Sequence, residues 1–100
     1  MQKYYECHIT IEPVYDERLA LFTEQCSRFN FKPAKLLMQK DRKETPERSN
    51  KDTFCTGHSK EYDDIYNRMM SLVKVLQSDK FAVWRYKIED VILDVKLDKV

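Results

Sequence analysis

The sequence predicts an α+β domain of ferredoxin-like topology, a four-stranded antiparallel sheet with two helices on one face. Three observations predict it. Some segments alternate polar and apolar residues with period two, as half-buried strands do. Two others repeat apolar residues every three or four positions, as amphipathic helices do. In chain order they read β-α-β-β-α-β, which right-handed crossovers fold most simply into this sandwich.

The first strand is Tyr5 to Glu12, where Tyr5, Cys7, Ile9 and Ile11 share one face and Glu6, His8, Thr10 and Glu12 the other; Pro13 ends it. From Asp16 the period changes. Leu19, Phe22, Cys26 and Phe29 form a helical stripe, with Tyr15 or Asp16 at its start. Phe31 to Lys40 is the second strand, carrying Ala34, Leu36 and Met38 on one face. Residues 41–52 carry eight charges and no apolar period, which marks a polar connection or the tips of a long hairpin. Thr53 to Thr56 resumes strand composition up to Gly57. Ser59 is the expected N-cap of a second helix with the stripe Ile65, Met69, Leu72, Val73 and Leu76. Its early Glu61, Asp63 and Asp64 and its later Lys74 and Lys80 suit the helix dipole. The last strand starts at Phe81, with Trp84, Tyr86 and Ile88 inward and Arg85 and Lys87 outward. Beyond Asp90 the apolar phase flips, which predicts a bulge or break there. Tyr62, Tyr66, Met69 and Met70 are expected in the core or at its rim.

Composition bounds the function. One hundred residues, 42% hydrophobic and 35% charged with a net charge of +1, fit one soluble globular domain spanning residues 1–100. No apolar run is long enough to span a bilayer and the first residues form no apolar signal core, so a cytoplasmic setting without membrane is expected. Cys7, Cys26 and Cys55 then read as reduced thiols. No CxxC or HxxxH spacing offers a zinc site, and the lone Gly57 excludes glycine-rich phosphate loops; neither metal nor cofactor is expected.

The candidate site follows from strand phase. In this topology the first and third strands are central, the fourth lies beside the first, and the sheet face away from the helices is open. His8 and Thr10 point to that face, Arg85 and Lys87 join them, and Thr56 and His58 follow if Cys55 is inward. A one-residue slip of the third strand would bury Thr56 and His58 instead. Two imidazoles, two hydroxyls, a guanidinium and an ammonium suit an anion such as phosphate. His8 and His58 could also serve as general base and acid.

His8-Ile9-Thr10-Ile11 resembles the HxTΦ motif (Φ apolar) of the two-histidine phosphoesterases, which act on phosphodiesters without a metal. The resemblance implies that His8 handles protons and Thr10 holds phosphate. The family carries the motif twice and runs to nearly twice this length. Here Thr56-Gly57-His58-Ser59 stands in reversed order where a second copy would be, and a homodimer would supply one.

Two functional readings follow. In the first, the open face binds a small anionic, phosphate-containing ligand or a protein partner, with the chain a homodimer. In the second, the chain is a phosphodiesterase-like enzyme using His8 and His58. Nucleic acid is a minor option: residues 32–60 carry eight Lys/Arg against four Asp/Glu, but the third strand lacks the aromatic and glycine pattern of RNA-recognition sheets.

Overall fold

The computed structural model describes residues 2–34 and 53–93. Within them the chain forms β1 (Gln2–Ile11), α1 (Asp16–Arg28), β2 (Lys32–Pro33), β3 (Thr53–Ser59), α2 (Tyr62–Ser78) and β4 (Val83–Leu93). The four strands make one antiparallel sheet in the order β2-β3-β1-β4, the ferredoxin-like arrangement. The strand pattern expected at 35–40 and the polar connection at 41–52 lie outside the described residues.

Period two in β1 does what it predicts. Cys7, Ile9 and Ile11 are fully buried beneath the helices. Across the ladder, Gly57 opposes Cys7, Cys55 opposes Ile9 and Thr53 opposes Ile11, so β3 turns the same residues inward. Thr53 is buried although polar, because its hydroxyl accepts the Val14 N–H at 3.2 Å. The helices supply Leu19, Phe22 and Cys26 from α1, and Ile65, Met69, Leu72, Val73 and Leu76 from α2.

Both helices end in the same way. Asn30 (φ 60°) and Lys80 (φ 71°) take left-handed backbone just past the ends of α1 and α2. Phe31 N–H then donates to the Cys26 carbonyl, and Phe81 N–H to that of Leu76. Asn30 N–H bonds to Ser27 and Lys80 N–H to Gln77. These are Schellman motifs, in which an apolar residue after the left-handed one packs back on the helix. Phe31 and Phe81 fill that position, and both are buried.

An arginine from each helix locks the end of the other. Arg18 of α1 donates to the Asp79 carbonyl at 2.9 Å and lies 3.9 Å over the Phe81 ring. Arg68 of α2 donates to the Phe29 and Asn30 carbonyls, each at 2.9 Å, and lies 5.4 Å from the Phe31 ring centre. Cations are favoured at helix C-termini, where unpaired carbonyls gather.

Three local expectations are corrected. Helix α2 starts at Tyr62 with Glu61 in the cap position, so Ser59 is not its N-cap; it ends β3, and its hydroxyl accepts the Glu61 N–H at 3.0 Å. The irregularity of β4 falls at Trp84, not Asp90: Thr10 opposes Arg85 but Ile11 opposes Val83, leaving Trp84 as the extra residue. Trp84 is 55% exposed as a result. Tyr86 opposes Ile9 on the helix side of the sheet, yet it is 44% exposed because it stands on the outermost strand. The register passes Asp90 without a break, and Val91 opposes Tyr4 on the open face. Tyr62 and Tyr66 are exposed at the rim, stacked on one another at 6.0 Å.

Candidate functional site

The cross-strand register decides what the open face holds. On it His8 opposes Thr56 of β3 and Lys87 of β4, while Thr10 opposes Phe54 and Arg85. Directly opposed residues share a face. Cys55 is buried, so Thr56 and His58 turn outward as expected from the unslipped register. All six residues singled out in the sequence, His8, Thr10, Thr56, His58, Arg85 and Lys87, therefore lie on one face of the sheet.

The structure adds two carboxylates among them. Glu6 opposes His58, and its Oε2 lies 3.3 Å from His8 Nε2 and 3.8 Å from His58 Nε2. The two imidazoles thus sit about 7 Å apart or less, the diagonal-neighbour spacing on one sheet face. Glu89 approaches His8 from the other side, its Oε1 3.6 Å from Nδ1, and also contacts Lys87 Nζ at 3.7 Å. His8 consequently has a carboxylate beside each ring nitrogen. Period-two counting already places Glu6 on the face of His8; what it lacks is the register that brings Glu6 across to His58.

Aromatic rings frame this row. Tyr4 lies 5.5 Å from the His58 ring, and Phe54 meets His8 edge-on at 6.3 Å. Thr10, between Phe54 and Arg85, is only 6% exposed. Its hydroxyl is thus largely covered in the free chain. Arg85 has no ion pair or hydrogen bond among the described residues.

A recess of about 410 Å³ opens at the other side of the face, lined by Asn30, Lys32, Pro33, Ala34, Thr56 and His58. The Schellman turn after α1 positions Asn30, and the short β2 ladder sets Lys32 opposite Thr56. Among the described residues, an amide, an ammonium, a hydroxyl and an imidazole line this recess, and no carboxylate does. Asn30 and Lys32 are functional candidates that sequence reasoning missed, because Asn30 lies in a turn outside any motif and Lys32, though on the expected second strand, had no register to set it opposite Thr56.

The site therefore has two zones. Around His8 and Glu6 charges are paired off, and an anion placed between the imidazoles would face the Glu6 carboxylate at contact distance. Around Thr56, Asn30 and Lys32 the lining is an ammonium with hydrogen-bonding groups, and His58, which also meets Glu6 at 3.8 Å, stands between the two zones. Among the described residues no three or more His, Cys, Asp or Glu side chains converge as a metal site would require, and no helix is long and apolar enough to cross a membrane. Compared with known proteins, the chain matches no family model, no curated protein and no solved structure.

Proposed function

We propose that this chain is a binding module that takes a small anionic ligand, such as a phosphate-bearing molecule, on its open sheet face. The recess beside β2 carries this reading, since Lys32, Thr56 and Asn30 offer charge and hydrogen bonds to an anion on the side of His58 away from Glu6, which is not among the lining residues. Arg85, on β4 beside Thr10, provides a second cation for a ligand long enough to reach across the sheet. Lys87 contributes less, because Glu89 already accompanies it.

Amide chemical shifts followed during titration with inorganic phosphate and with a nucleoside monophosphate test the reading. Saturable shifts are expected at Asn30, Lys32, Thr56 and His58. Lys32→Ala should weaken binding at least about tenfold, the worth of one charge-assisted hydrogen bond. No saturable shift with either probe up to about 10 mM, weaker than any specific site of useful affinity, sinks it.

One observation favours a second reading, phosphodiester turnover of the kind the HxTΦ resemblance implies. His8 and His58 share one face within general acid-base reach of a common substrate. Glu6 weighs against it, as a carboxylate between the imidazoles repels the phosphate they would have to hold. Turnover of a 2′,3′-cyclic nucleotide by the wild type, abolished in His8→Ala with the phosphate-induced shifts retained, would establish the enzyme reading in place of pure binding.

A further inference from the structure

The ligand recess uses the β2 side of the sheet, and at the opposite side β4 is the last strand among the described residues. Strand β4 is outermost, hydrogen-bonded to β1 on one side only. Among the described residues no strand pairs with its other side. After the extra residue Trp84 its pairing with β1 is regular from Arg85 onward, with neither proline nor glycine. Folded proteins usually blunt such edges by shortening or interrupting them. This strand runs eleven residues and leaves Trp84, Tyr86 and Ile92 exposed along it.

The charges along β4 say what fits it. Two copies of one strand pair antiparallel about a two-fold axis perpendicular to the sheet, and such an axis passes through a residue opposite its own copy. An axis at Tyr86 sets Arg85 against Lys87. Axes at Lys87, Glu89 or Asp90 set that charge against itself, and one at Val91 leaves only the short end of the strand to pair. An axis at Ile88 behaves differently. It sets Lys87 opposite Glu89 of the second copy, and Glu89 opposite its Lys87, both on the open face, with an isoleucine pair at the centre. Opposite charges facing each other across a ladder stabilise it and like charges destabilise it.

We propose that a second copy of this chain pairs along β4 about a two-fold axis at Ile88, joining two four-stranded sheets into one of eight strands. The helices of both copies then cover the same face, and the two ligand recesses lie at the far ends of the joined sheet. Tyr86 faces Asp90 of the other copy, and Arg85 faces its Val91. The proposal does not rest on the ligand reading: the recess residues lie off β4, and the ligand cations that lie on it, Arg85 and Lys87, are not needed for the recess to bind.

Sedimentation equilibrium of the full chain reads the outcome directly. The wild type should sediment at twice its 12.1 kDa mass. Lys87→Glu makes one copy acidic at both positions, and Glu89→Lys makes one basic at both. Each alone should weaken self-association at least about tenfold. An equimolar mixture of the two should recover the dimer, because every facing pair is then opposite in charge. Circular dichroism matching the wild type confirms that each variant is folded, and the Lys87→Glu/Glu89→Lys double variant, which keeps every facing pair opposite, should dimerise like the wild type. A wild type that stays at chain mass at about 100 µM overturns the proposal. So does a mixture that associates no better than its components.

Discussion

Gly57 shows how one atom can set a residue choice. Its backbone φ is not positive, so the left-handed conformation that usually selects glycine is not the reason. The reason is the Phe31 ring, which lies flat against the strand: a β-carbon at position 57 would stand 2.9 Å from three of its ring carbons. Phe31 is held in place, tied by its N–H to Cys26 and flanked by the Arg68 guanidinium, so the ring cannot swing aside cheaply. Gly57→Ala should therefore destabilise the fold by about 1–2 kcal/mol, overpacking outweighing the gain from a stiffer unfolded chain. In a Phe31→Leu background, where those ring carbons are gone, the same change should cost much less. Urea midpoints for the four combinations measure the coupling, and equal costs in both backgrounds would refute the ring as cause. The sequence shows the lone glycine and its place between Thr56 and His58. It could not show Phe31 on top of it, since that contact depends on how α1 delivers the chain to β2.

Among the elements, helices and strands whose pattern is set by their own burial were legible in the sequence. Strands β1 and β3 alternate because one side meets the helices, and the stripes of α1 and α2 run at helical spacing for the same reason. Strand β4 was half legible. Both faces were placed correctly for Tyr86 and Ile88, which turn to the helix side, but Trp84 falls at the extra residue; on an edge strand beyond full helix cover Tyr86 and Trp84 stay exposed all the same. The shared face of His8, Thr10, Thr56, His58, Arg85 and Lys87 followed from strand phase, whereas Glu6 between the two histidines needed the register. Arg68 was invisible to pattern reading, a charged residue beside the buried stripe with no periodic role. Its guanidinium nevertheless joins three elements, bonding the two carbonyls after α1, the His58 carbonyl of β3 at 3.0 Å and Asp64 at 2.9 Å. The Ser59 hydroxyl and Arg68 together hold the Asp64 carboxyl below its ordinary range. Arg68→Ala should cost about 2–3 kcal/mol, the worth of hydrogen bonds to a charged donor at a helix end. Arg68→Lys should recover little, because an ammonium cannot reach carbonyls on both sides as the planar fork does. Thermal unfolding of the pair checks this, and full recovery by lysine would show that charge alone matters.

Across the whole molecule, the core is unusual in gathering all three thiols of the chain. Cys7 comes from β1, Cys26 from α1 and Cys55 from β3, each fully buried and unpaired. Burial pushes the Cys7 thiol up from 9.0 to about 12, with the weaker pull of the Arg68 charge opposing it. Cys55 is raised further still, first by its hydrogen bond with Cys26 and then by burial. Both thiols are neutral in folded and unfolded chains well below pH 9, so their contribution to stability is complete there. Above pH 9 the unfolded chain releases these protons while the folded chain keeps them, until about pH 12 for Cys7. The unfolded state then binds fewer protons, and stability falls as pH rises. Each raised thiol adds a slope approaching about 1.4 kcal/mol per pH unit, or nearly 3 for the two together. The comparison is with a Cys7→Ala/Cys55→Ala variant, which shares every other ionisable group of the chain. Urea unfolding under reducing conditions between pH 8 and about 10.5 should show the wild type losing stability more steeply than the variant. The variant will start lower, since both substitutions leave small cavities, but its curve should be the flatter one. Parallel curves would mean that the thiols ionise alike in both states and that the core is open enough to solvate them. That outcome would also undermine the helix-to-sheet packing that holds the open face in register, because Cys7 and Cys55 are the inward neighbours of His8 and Thr56.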